Sequence, residues 1–255
     1  MSIINYRVDS KVALITGASR GIGESIAYTL SQAGAKVIIT SRTLSDLEKV
    51  RKNIEKNGGE ALDLPLDLQS VSDIYNVVDQ AISKMGRIDI LVNCAGINIR
   101  AKAEEYTEQD WDTVLNTNLK GSFFMSQAVA NKSMIPQKKG KIVNINSNLA
   151  FVGNYDRTAY CSSKGGILQL TRTLAIEWSK YNINVNGVAP TWVYTEMTRK
   201  ILDNKEVYER EIRKIPLNRI GETKDVDAAV LFLASEASDF IQGHTISVDG
   251  GYIIW

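Results

Sequence analysis

The sequence predicts an α/β fold built on a doubly wound, seven-stranded parallel sheet. Short runs rich in β-branched residues recur along the chain with amphipathic stretches between them, and this alternation is typical of βαβ units. Several of the runs are apolar almost throughout, as expected for strands that helices cover on both faces. No Pro/Ser-rich linker or change in composition divides the series, so residues 1–255 are predicted to form a single domain.

Each predicted strand is a short β-branched run, and each predicted helix is a longer stretch with apolar residues at helical spacing. The strands are Lys11–Thr16 (KVALIT), Lys36–Ser41 (KVIITS), Glu60–Leu64, Ile88–Asn93 (IDILVN), Lys141–Ser147 (KIVNINS), Asn184–Val188 (NVNGV) and Thr245–Val248 (TISV). The helices are Ile22–Gln32, Leu44–Asn57, Val71–Met85, Glu108–Ser133, Thr158–Lys180, Thr195–Arg213 and Thr223–Ala234.

Composition excludes several classes of protein. Thirty basic and 29 acidic residues leave a net charge of +1, so no basic excess points to nucleic acid. The N-terminus lacks the apolar core of a signal peptide, and no apolar run approaches the roughly 18 residues that span a bilayer, which predicts a cytoplasmic protein without membrane contact. Cys94 and Cys161 have no neighbouring ligands to complete a metal set, and His244 is the only histidine, so no metal site is predicted.

A glycine-rich turn, Thr16–Gly23 (TGASRGIG), follows the first strand directly and opens a helix. Glycines let the backbone turn tightly and approach a pyrophosphate, which the N–H groups of the helix N-terminus bind. The predicted cofactor-binding residues of this turn are Gly17, Ser19, Arg20, Gly21, Ile22 and Gly23. The spacing differs from G-x-G-x-x-G, and glycine-rich turns without a ligand also occur, so the motif alone leaves both interpretations open.

The second strand ends at Ser41-Arg42, where a domain that prefers NAD usually has an acidic residue. A guanidinium at this position meets a 2′-phosphate instead, and Arg20 in the glycine turn can approach the same group. The pair favours NADP(H) as the cofactor. The alternative is that both arginines are ordinary solvated surface residues.

Catalytic chemistry is predicted in the second half of the chain. Tyr160 and Lys164 are four residues apart on one helix face, and an ammonium beside a phenol favours the phenolate. Tyr160 can then act as the acid or base at a carbonyl or alcohol. Ser147 closes the preceding strand, at the edge where doubly wound folds bind ligands, and can hold the substrate oxygen. Asn118 lies in the middle of a predicted helix, where an Asn suggests a polar or water-mediated role.

Together these features resemble the short-chain dehydrogenase/reductase family over essentially the whole chain. The matching features are TGASRGIG at Thr16–Gly23, Asp67, NCAG at Asn93–Gly96, Asn118, Ser147, Tyr160, Lys164, Ala189-Pro190, Thr195 and Val248–Gly251. The resemblance implies a Rossmann-type three-layer α/β/α fold and a catalytic tetrad of Asn118, Ser147, Tyr160 and Lys164. It also implies that Lys164 bonds the nicotinamide ribose and that the protein is a homotetramer or dimer.

The resemblance implies further cofactor contacts. They are Asp67 and Leu68 near the adenine, Asn93, Ala95 and Gly96 on the ribose side, and Pro190, Val193 and Thr195 at the nicotinamide. Two departures from the family pattern stand out: Cys94 replaces the second Asn of Asn-Asn-Ala-Gly, and Thr191 followed by Trp192 replaces the usual Gly after Pro190. The first is expected to affect strand packing, and the second to stiffen the loop that covers the nicotinamide.

The segment from Gly96 to Gly121 resembles that of sugar-acid and polyol dehydrogenases of the family. This suggests that Arg100 approaches a substrate carboxylate, although a solvent-facing arginine is the alternative. The other predicted substrate residues are Asn98, Asn148, Tyr155 and Trp192, which offer hydroxyl-binding groups and an aromatic wall to a small carbonyl or alcohol substrate. The alternatives are a 3-oxoacyl-[acyl-carrier-protein] reductase, a general carbonyl reductase, or a nucleotide-sensing scaffold that has lost catalysis.

Overall fold

A parallel sheet of seven strands forms the centre of the protein in the computed structural model, which describes residues 5–254 apart from the side chain of Met197. The strands are β1 (Val12–Thr16), β2 (Lys36–Ser41), β3 (Ala61–Pro65), β4 (Ile90–Asn93), β5 (Gly140–Ile145), β6 (Ile183–Pro190) and β7 (Thr245–Val248). Their order is β3-β2-β1-β4-β5-β6-β7, and every neighbouring pair is parallel. The predicted doubly wound sheet is confirmed.

Helices cover both faces of the sheet. They are α1 (Gly21–Gln32), α2 (Leu44–Lys56), α3 (Val71–Met85), α4 (Glu108–Leu115), α5 (Gly121–Val129), α6 (Ile135–Gln137), α7 (Thr158–Trp178), α8 (Glu196–Leu202), α9 (Lys205–Ile212) and α10 (Thr223–Ala234). Helices α1, α2 and α10 cover one face, and α3, α5 and α7 cover the other. None of the helices within residues 5–254 is long and apolar enough to cross a membrane.

Alternate residues of each strand belong to two separate hydrophobic cores. In β1, Ala13 and Ile15 pack on the side of α1, whereas Val12 and Leu14 pack on the side of α3, and all four are buried. Because successive side chains of a strand point to opposite faces, a strand that is apolar throughout requires cover on both. The continuous apolar runs in the sequence therefore reflect two cores that share one sheet.

The predicted helix Glu108–Ser133 is wrong in its form and its end. The helix is interrupted by two π-helical turns, Asn116–Lys120 and Ala130–Met134, and continues to Gln137 through α6. The Asn118 side chain accepts a hydrogen bond from the backbone N–H of Ile97 at 2.8 Å and donates to its carbonyl at 2.9 Å. Ser133, in the second π turn, bonds the N–H and the carbonyl of Ile88 at 2.8 and 3.0 Å. The two turns therefore fix the chain on both sides of β4.

The predicted helix Thr195–Arg213 is also wrong, because it consists of the two helices α8 and α9. Asn204 adopts an extended backbone conformation, and its side chain accepts hydrogen bonds from the N–H groups of Glu206 and Val207 at 3.0 and 3.2 Å. An Asn that caps the following turn in this way stops one helix and starts the next. Thr195 caps α8 from the loop after β6, so α8 begins beside the edge of the sheet that carries the site.

Several predicted bounds move by a few residues. The predicted helix that includes Tyr160 ends at Trp178 and continues as one 3₁₀ turn, and β6 extends beyond its predicted end to Pro190. Strand β5 ends at Ile145, so Ser147 lies just after the strand rather than in it. This places the Ser147 side chain at the carboxyl edge of the sheet, where the chain is free to turn toward the cleft.

Candidate active site

A cleft of about 580 Å³ lies along the carboxyl edge of the sheet. Its walls come from the turn between β1 and α1, from the ends of β2, β3, β4 and β5, and from the loop between β6 and α8. This edge is where strand order reverses between β1 and β4, and doubly wound sheets bind ligands at that point. A cleft of this size is in the usual range for small-molecule sites.

In the glycine turn, backbone segments approach each other more closely than a side chain at these positions would allow. Gly17 has a φ of +69°, and a Cβ there would lie 2.7 Å from the Cα of Ala95. At Gly23 a Cβ would lie 2.4 Å from the carbonyl oxygen of Gly17. Thr16 Oγ1 accepts hydrogen bonds from the N–H groups of Cys94 and Ala95 at 3.0 and 3.1 Å, which fixes the end of β4 against the turn. The backbone therefore forms an open cradle at the start of α1, as a pyrophosphate requires.

Two arginines stand at the β2 end of this cradle. Arg20 and Arg42 both line the cleft, both are exposed, and neither forms an ion pair with another side chain within residues 5–254. No acidic residue follows Ser41 directly, and the nearby Asp46 is paired with Lys49 at 2.9 Å. An anion at this end of the cleft would therefore meet two guanidinium groups that are free to bind it.

The amine of Lys164 is buried beneath the ring of Tyr160. Its Nζ atom donates a hydrogen bond to the carbonyl of Ile145 at 2.7 Å and lies 5.7 Å from the centre of the phenol ring. Only 3% of the residue is exposed, and burial lowers the pKa of Lys164 from 10.5 to about 8. The amine is therefore held in place by a backbone carbonyl and has little contact with solvent.

The acidity of Tyr160 differs from the sequence expectation. Burial raises the pKa of Tyr160, and the Ser147 hydroxyl and the charge of Arg157 oppose that rise. The cation whose charge acts most on the phenol is Arg157, and not Lys164 as expected from the sequence.

A short chain of hydrogen bonds holds Ser147. Its hydroxyl accepts from the N–H of Leu149 and donates to Asn148 Oδ1, both at 3.2 Å. Asn148 Nδ2 in turn donates to Thr191 Oγ1 at 3.1 Å. The Ser147 oxygen is thus tied to the loop after β6 through one intervening amide.

Most of the predicted site residues meet in this one cleft. Those that line it are Gly17, Ser19, Arg20, Gly21, Ile22, Gly23, Ser41, Arg42, Asp67, Leu68, Ala95, Gly96, Asn98, Arg100, Ser147, Asn148, Tyr160, Lys164, Pro190, Trp192, Val193 and Thr195. Cys94 lines it too, and burial raises the pKa of its thiol to about 12, which keeps the thiol protonated.

Three predicted site residues do not line the cleft. Asn93 is buried beneath it, where its amide donates to Ser126 Oγ and Asn144 Oδ1, both at 2.9 Å. Asn118 is fully buried and uses both ends of its amide on the Ile97 backbone. The third, Tyr155, is 91% exposed, so its ring forms no wall of the cleft. It precedes Asp156, whose φ of +57° turns the chain at this point.

Two residues that hold the predicted Trp192 in the outer wall of the cleft, Arg157 and Glu211, are absent from the sequence prediction. The guanidinium carbon of Arg157 lies 5.5 Å from the ring centre of Trp192, and the Trp192 indole N–H donates to Glu211 at 3.1 Å. Glu211 is buried and also accepts from Arg210 and Lys214, at 3.0 and 3.1 Å. No local motif marks Arg157 or Glu211, because only the fold brings their elements to Trp192.

A glycine cradle at the switch point of a doubly wound sheet, with Ser147, Tyr160 and Lys164 at the same cleft, is the arrangement of a dinucleotide-dependent oxidoreductase. A family model described as enoyl-(acyl carrier protein) reductase matches residues 17–253. The chain belongs to the short-chain dehydrogenase/reductase family, and it is an oxidoreductase of the kind that acts on CH–OH groups.

Similar proteins cover the chain almost completely. It is 38% identical to the 2-dehydro-3-deoxy-D-gluconate 5-dehydrogenase of Escherichia coli, over 99% of each chain. It is 40% identical to the 3-oxoacyl-[acyl-carrier-protein] reductase of Thermotoga maritima, over 97% of this chain and all of the other. A crystal structure of a Burkholderia cenocepacia gluconate 5-dehydrogenase in complex with NADP and tartrate superposes with a TM-score of 0.95, at 34% identity and 98% coverage of both.

Proposed function

We propose that the protein is an NADP(H)-dependent oxidoreductase that transfers hydride between the nicotinamide and a ketone or secondary alcohol of a sugar acid, keto-sugar or polyol. The observation that carries the proposal is the convergence of Ser147, Tyr160 and Lys164 at the same cleft as the glycine cradle. The names and bound molecules of the similar sugar-acid dehydrogenases support the substrate class.

The residues of the cleft fit a dinucleotide. A Cβ at Gly17 or Gly23 would collide with backbone, so both positions are kept open toward the place that a pyrophosphate takes. Arg20 and Arg42 line the end of the cleft and would hold a 2′-phosphate there, which supports NADP(H) over NAD(H). When bound, the nicotinamide supplies or accepts the hydride, and Lys164 would hold its ribose hydroxyls.

The protein residues then orient the substrate and move its proton. The Ser147 hydroxyl, whose one proton goes to Asn148 Oδ1 in this structure, turns that proton to the substrate oxygen. The Tyr160 hydroxyl gives a proton to the same oxygen in reduction or takes it in oxidation. Bound cofactor brings its own charge to the cleft, so the pKa of Tyr160 is expected to change on binding. Asn118 acts through the backbone of Ile97, which it positions in the cleft wall, rather than by touching the substrate.

The second candidate is 3-oxoacyl-[acyl-carrier-protein] reduction, which the Thermotoga maritima relative favours. The polar outer wall, with Asn98, Asn154 and two arginines, is better matched to a hydroxylated substrate than to an acyl chain. A silent scaffold would need neither Tyr160 nor Lys164 in the cleft. The predicted homotetramer or dimer and the predicted cytoplasmic location stay predictions.

A substrate panel tests the proposal. The purified protein is assayed with NADPH and with NADH for reduction of 5-keto-D-gluconate, L-sorbose and acetoacetyl-coenzyme A, and with NADP⁺ for oxidation of D-gluconate and D-sorbitol. We expect the highest kcat/KM for a sugar acid or polyol pair with the phosphorylated cofactor. A higher kcat/KM for the thioester would establish the second candidate, and no turnover of any compound would favour the scaffold.

A further inference from the structure

Two arginines without an ion-pair partner among residues 5–254 line the outer end of the cleft. Arg100, after β4, and Arg157, just before α7, both line the cleft, and a bridge between the backbones of Ala101 and Arg157 joins their segments. Neither guanidinium has a hydrogen-bonding or ion-pair acceptor among the side chains of residues 5–254. Like charges held side by side are unfavourable unless an anion lies between them.

The Arg157 side chain lies against the cleft wall and not wholly in solvent. It is partly buried, and its guanidinium carbon lies over the Trp192 ring, 5.5 Å from the ring centre. Burial and the neighbouring charge of Arg100 lower the pKa of Arg157. A guanidinium stacked by its face keeps its N–H edge free, and that edge matches a carboxylate with two parallel hydrogen bonds.

Glu211 supplies the support for this stack. Its carboxylate fixes the Trp192 indole through Nε1 and is itself neutralised by Arg210 and Lys214. Although burial opposes it, the bonds from Lys214 and Arg210 hold the pKa of Glu211 below its usual value, so the carboxylate stays charged. The Glu211 charge reaches Arg157 only weakly and forms no ion pair with it, so the N–H groups of Arg157 stay available to a ligand.

The position of Arg157 sets the distance between an anion bound to it and the atoms that react at Tyr160. It precedes Tyr160 by three residues, less than one helical turn or about 4.5 Å along the axis. Its charge also acts on the Tyr160 phenol, which places the two groups in one electrostatic environment. The bound anion therefore belongs to the same small molecule as the reacting carbonyl. The phosphate of a carrier-protein thioester lies many bonds further from its 3-oxo group.

We propose that Arg157, stacked on Trp192 and paired with Arg100, binds the carboxylate of the substrate and makes the enzyme select sugar acids over neutral sugars. This inference rests on the proposed function and deepens it. Arg157 is a specificity residue in this scheme, while Glu211 is a positioning residue that acts through Trp192.

A matched pair of substrates isolates the carboxylate. 5-Keto-D-gluconate and L-sorbose differ at the end remote from the ketone, where one has a carboxylate and the other a hydroxymethyl group. In Arg157→Gln we expect KM for 5-keto-D-gluconate to rise about tenfold or more and KM for L-sorbose to stay within about twofold. A change in kcat that comes from the lost charge beside Tyr160 is expected to be the same for both substrates. Arg157→Lys is expected to restore part of the loss. Lys52→Gln, which removes an exposed charge far from the cleft, is expected to leave the kinetics with both substrates unchanged.

Binding without turnover keeps this test separate from that of the proposed function. D-Gluconate is titrated by calorimetry into the enzyme–NADPH complex, which cannot react with an alcohol, and D-sorbitol serves as the neutral control. Loss of gluconate binding in Arg157→Gln with unchanged NADPH affinity supports the inference. Equal gluconate affinity in the wild type and Arg157→Gln, or no gluconate binding by the wild type, overturns it. Turnover of acetoacetyl-coenzyme A alone contradicts the proposed function, and the same titration still decides the role of Arg157.

Discussion

Asn148 Nδ2 donates a hydrogen bond to Thr191 Oγ1 across 3.1 Å, and this contact connects the segment after β5 to the loop after β6. The other end of the same amide accepts the Ser147 hydroxyl. Thr191 stands where the family usually has Gly, which has no side chain to accept this bond. The departure therefore supplies a restraint on Ser147 that a glycine could not.

The first prediction concerns this contact. Asn148→Ala and Thr191→Val each remove one partner, and each is expected to lower kcat several-fold because Ser147 loses its fixed orientation. The double variant is expected to be no worse than the poorer single variant, a coupling of about 1 kcal/mol in the double-mutant cycle. Steady-state kinetics measure this coupling, and melting temperatures check that each variant is folded. Fully additive effects would show that the two side chains act independently.

Tyr160→Phe tests the proton transfer. Loss of the hydroxyl is expected to lower kcat by about 10²- to 10⁴-fold, the usual contribution of a positioned acid or base. NADPH affinity, measured by fluorescence titration, is expected to stay within about twofold because the ring is kept. Tyr155→Phe is the matched control, since that ring is in solvent. Wild-type turnover by Tyr160→Phe would remove this residue from the mechanism.

Arg42→Ala tests the choice of cofactor. If Arg42 binds the 2′-phosphate, the variant loses a charged hydrogen-bonding partner, and its Kd for NADPH rises by about tenfold or more while its Kd for NADH is unchanged. Lys52→Ala removes an equal charge from the exposed face of α2 and controls for long-range attraction. A parallel loss of NADPH and NADH affinity would assign Arg42 a general role instead.

Lys164 predicts a pH-dependent stability in the cofactor-free protein. Its pKa of about 8 lies below the ordinary 10.5, so between these values the unfolded chain binds more protons than the folded chain. Stability of the wild type therefore rises with pH in this window, by about 3 kcal/mol in full. Lys164→Met lacks the buried charge, so its advantage in urea unfolding is expected to be largest at pH 7 and to shrink by pH 9.5. A constant difference across pH, or the same trend in Lys52→Met, would contradict the burial of a charged amine.

Asn118→Ala tests whether Asn118 supports the cleft structurally or takes part directly in catalysis. It leaves the N–H and carbonyl of Ile97 without their partner, and an unsatisfied buried group costs about 1 to 3 kcal/mol. We expect a loss of that size in urea unfolding together with lower activity, because Ile97 lies in the cleft wall. Asn53→Ala, which removes an exposed amide, is the control. Lost activity with unchanged stability would instead indicate direct contact with substrate or water.

The parts of the site that sequence could predict are those set by local geometry. Gly17 and Gly23 are required by backbone contacts within a few residues of one turn and its neighbouring strand, so their spacing after a strand is sufficient. The strands were predictable because β-branched runs have a clear pattern. Trp192 and Arg100 of the outer wall were predicted, but the contacts of Trp192 with Arg157 and Glu211 were not, since these three residues meet only through tertiary packing.

The position of Asn118 shows a different limit. Its sequence surroundings have helical composition, and a π turn differs from an α turn by a single residue, which no hydrophobic period resolves. The structure places its amide against a backbone strand end instead of in the cleft. The prediction for Tyr155 is wrong for another reason. An aromatic residue near a catalytic tyrosine suggests a wall of the cleft, but a turn at Asp156 leaves the Tyr155 ring in solvent.

The two π turns make the length of the segment between β4 and β5 part of its function. Each turn holds one residue more than an α-helical turn, and a helix rotates by about 100° per residue. Deleting one residue from Asn116–Lys120 would thus improve the helix and, in the same step, swing Asn118 away from Ile97. In evolutionary terms, this stretch can exchange residues but cannot easily lose one. A gap in this stretch would therefore separate relatives that share the contact between Asn118 and Ile97 from those that do not.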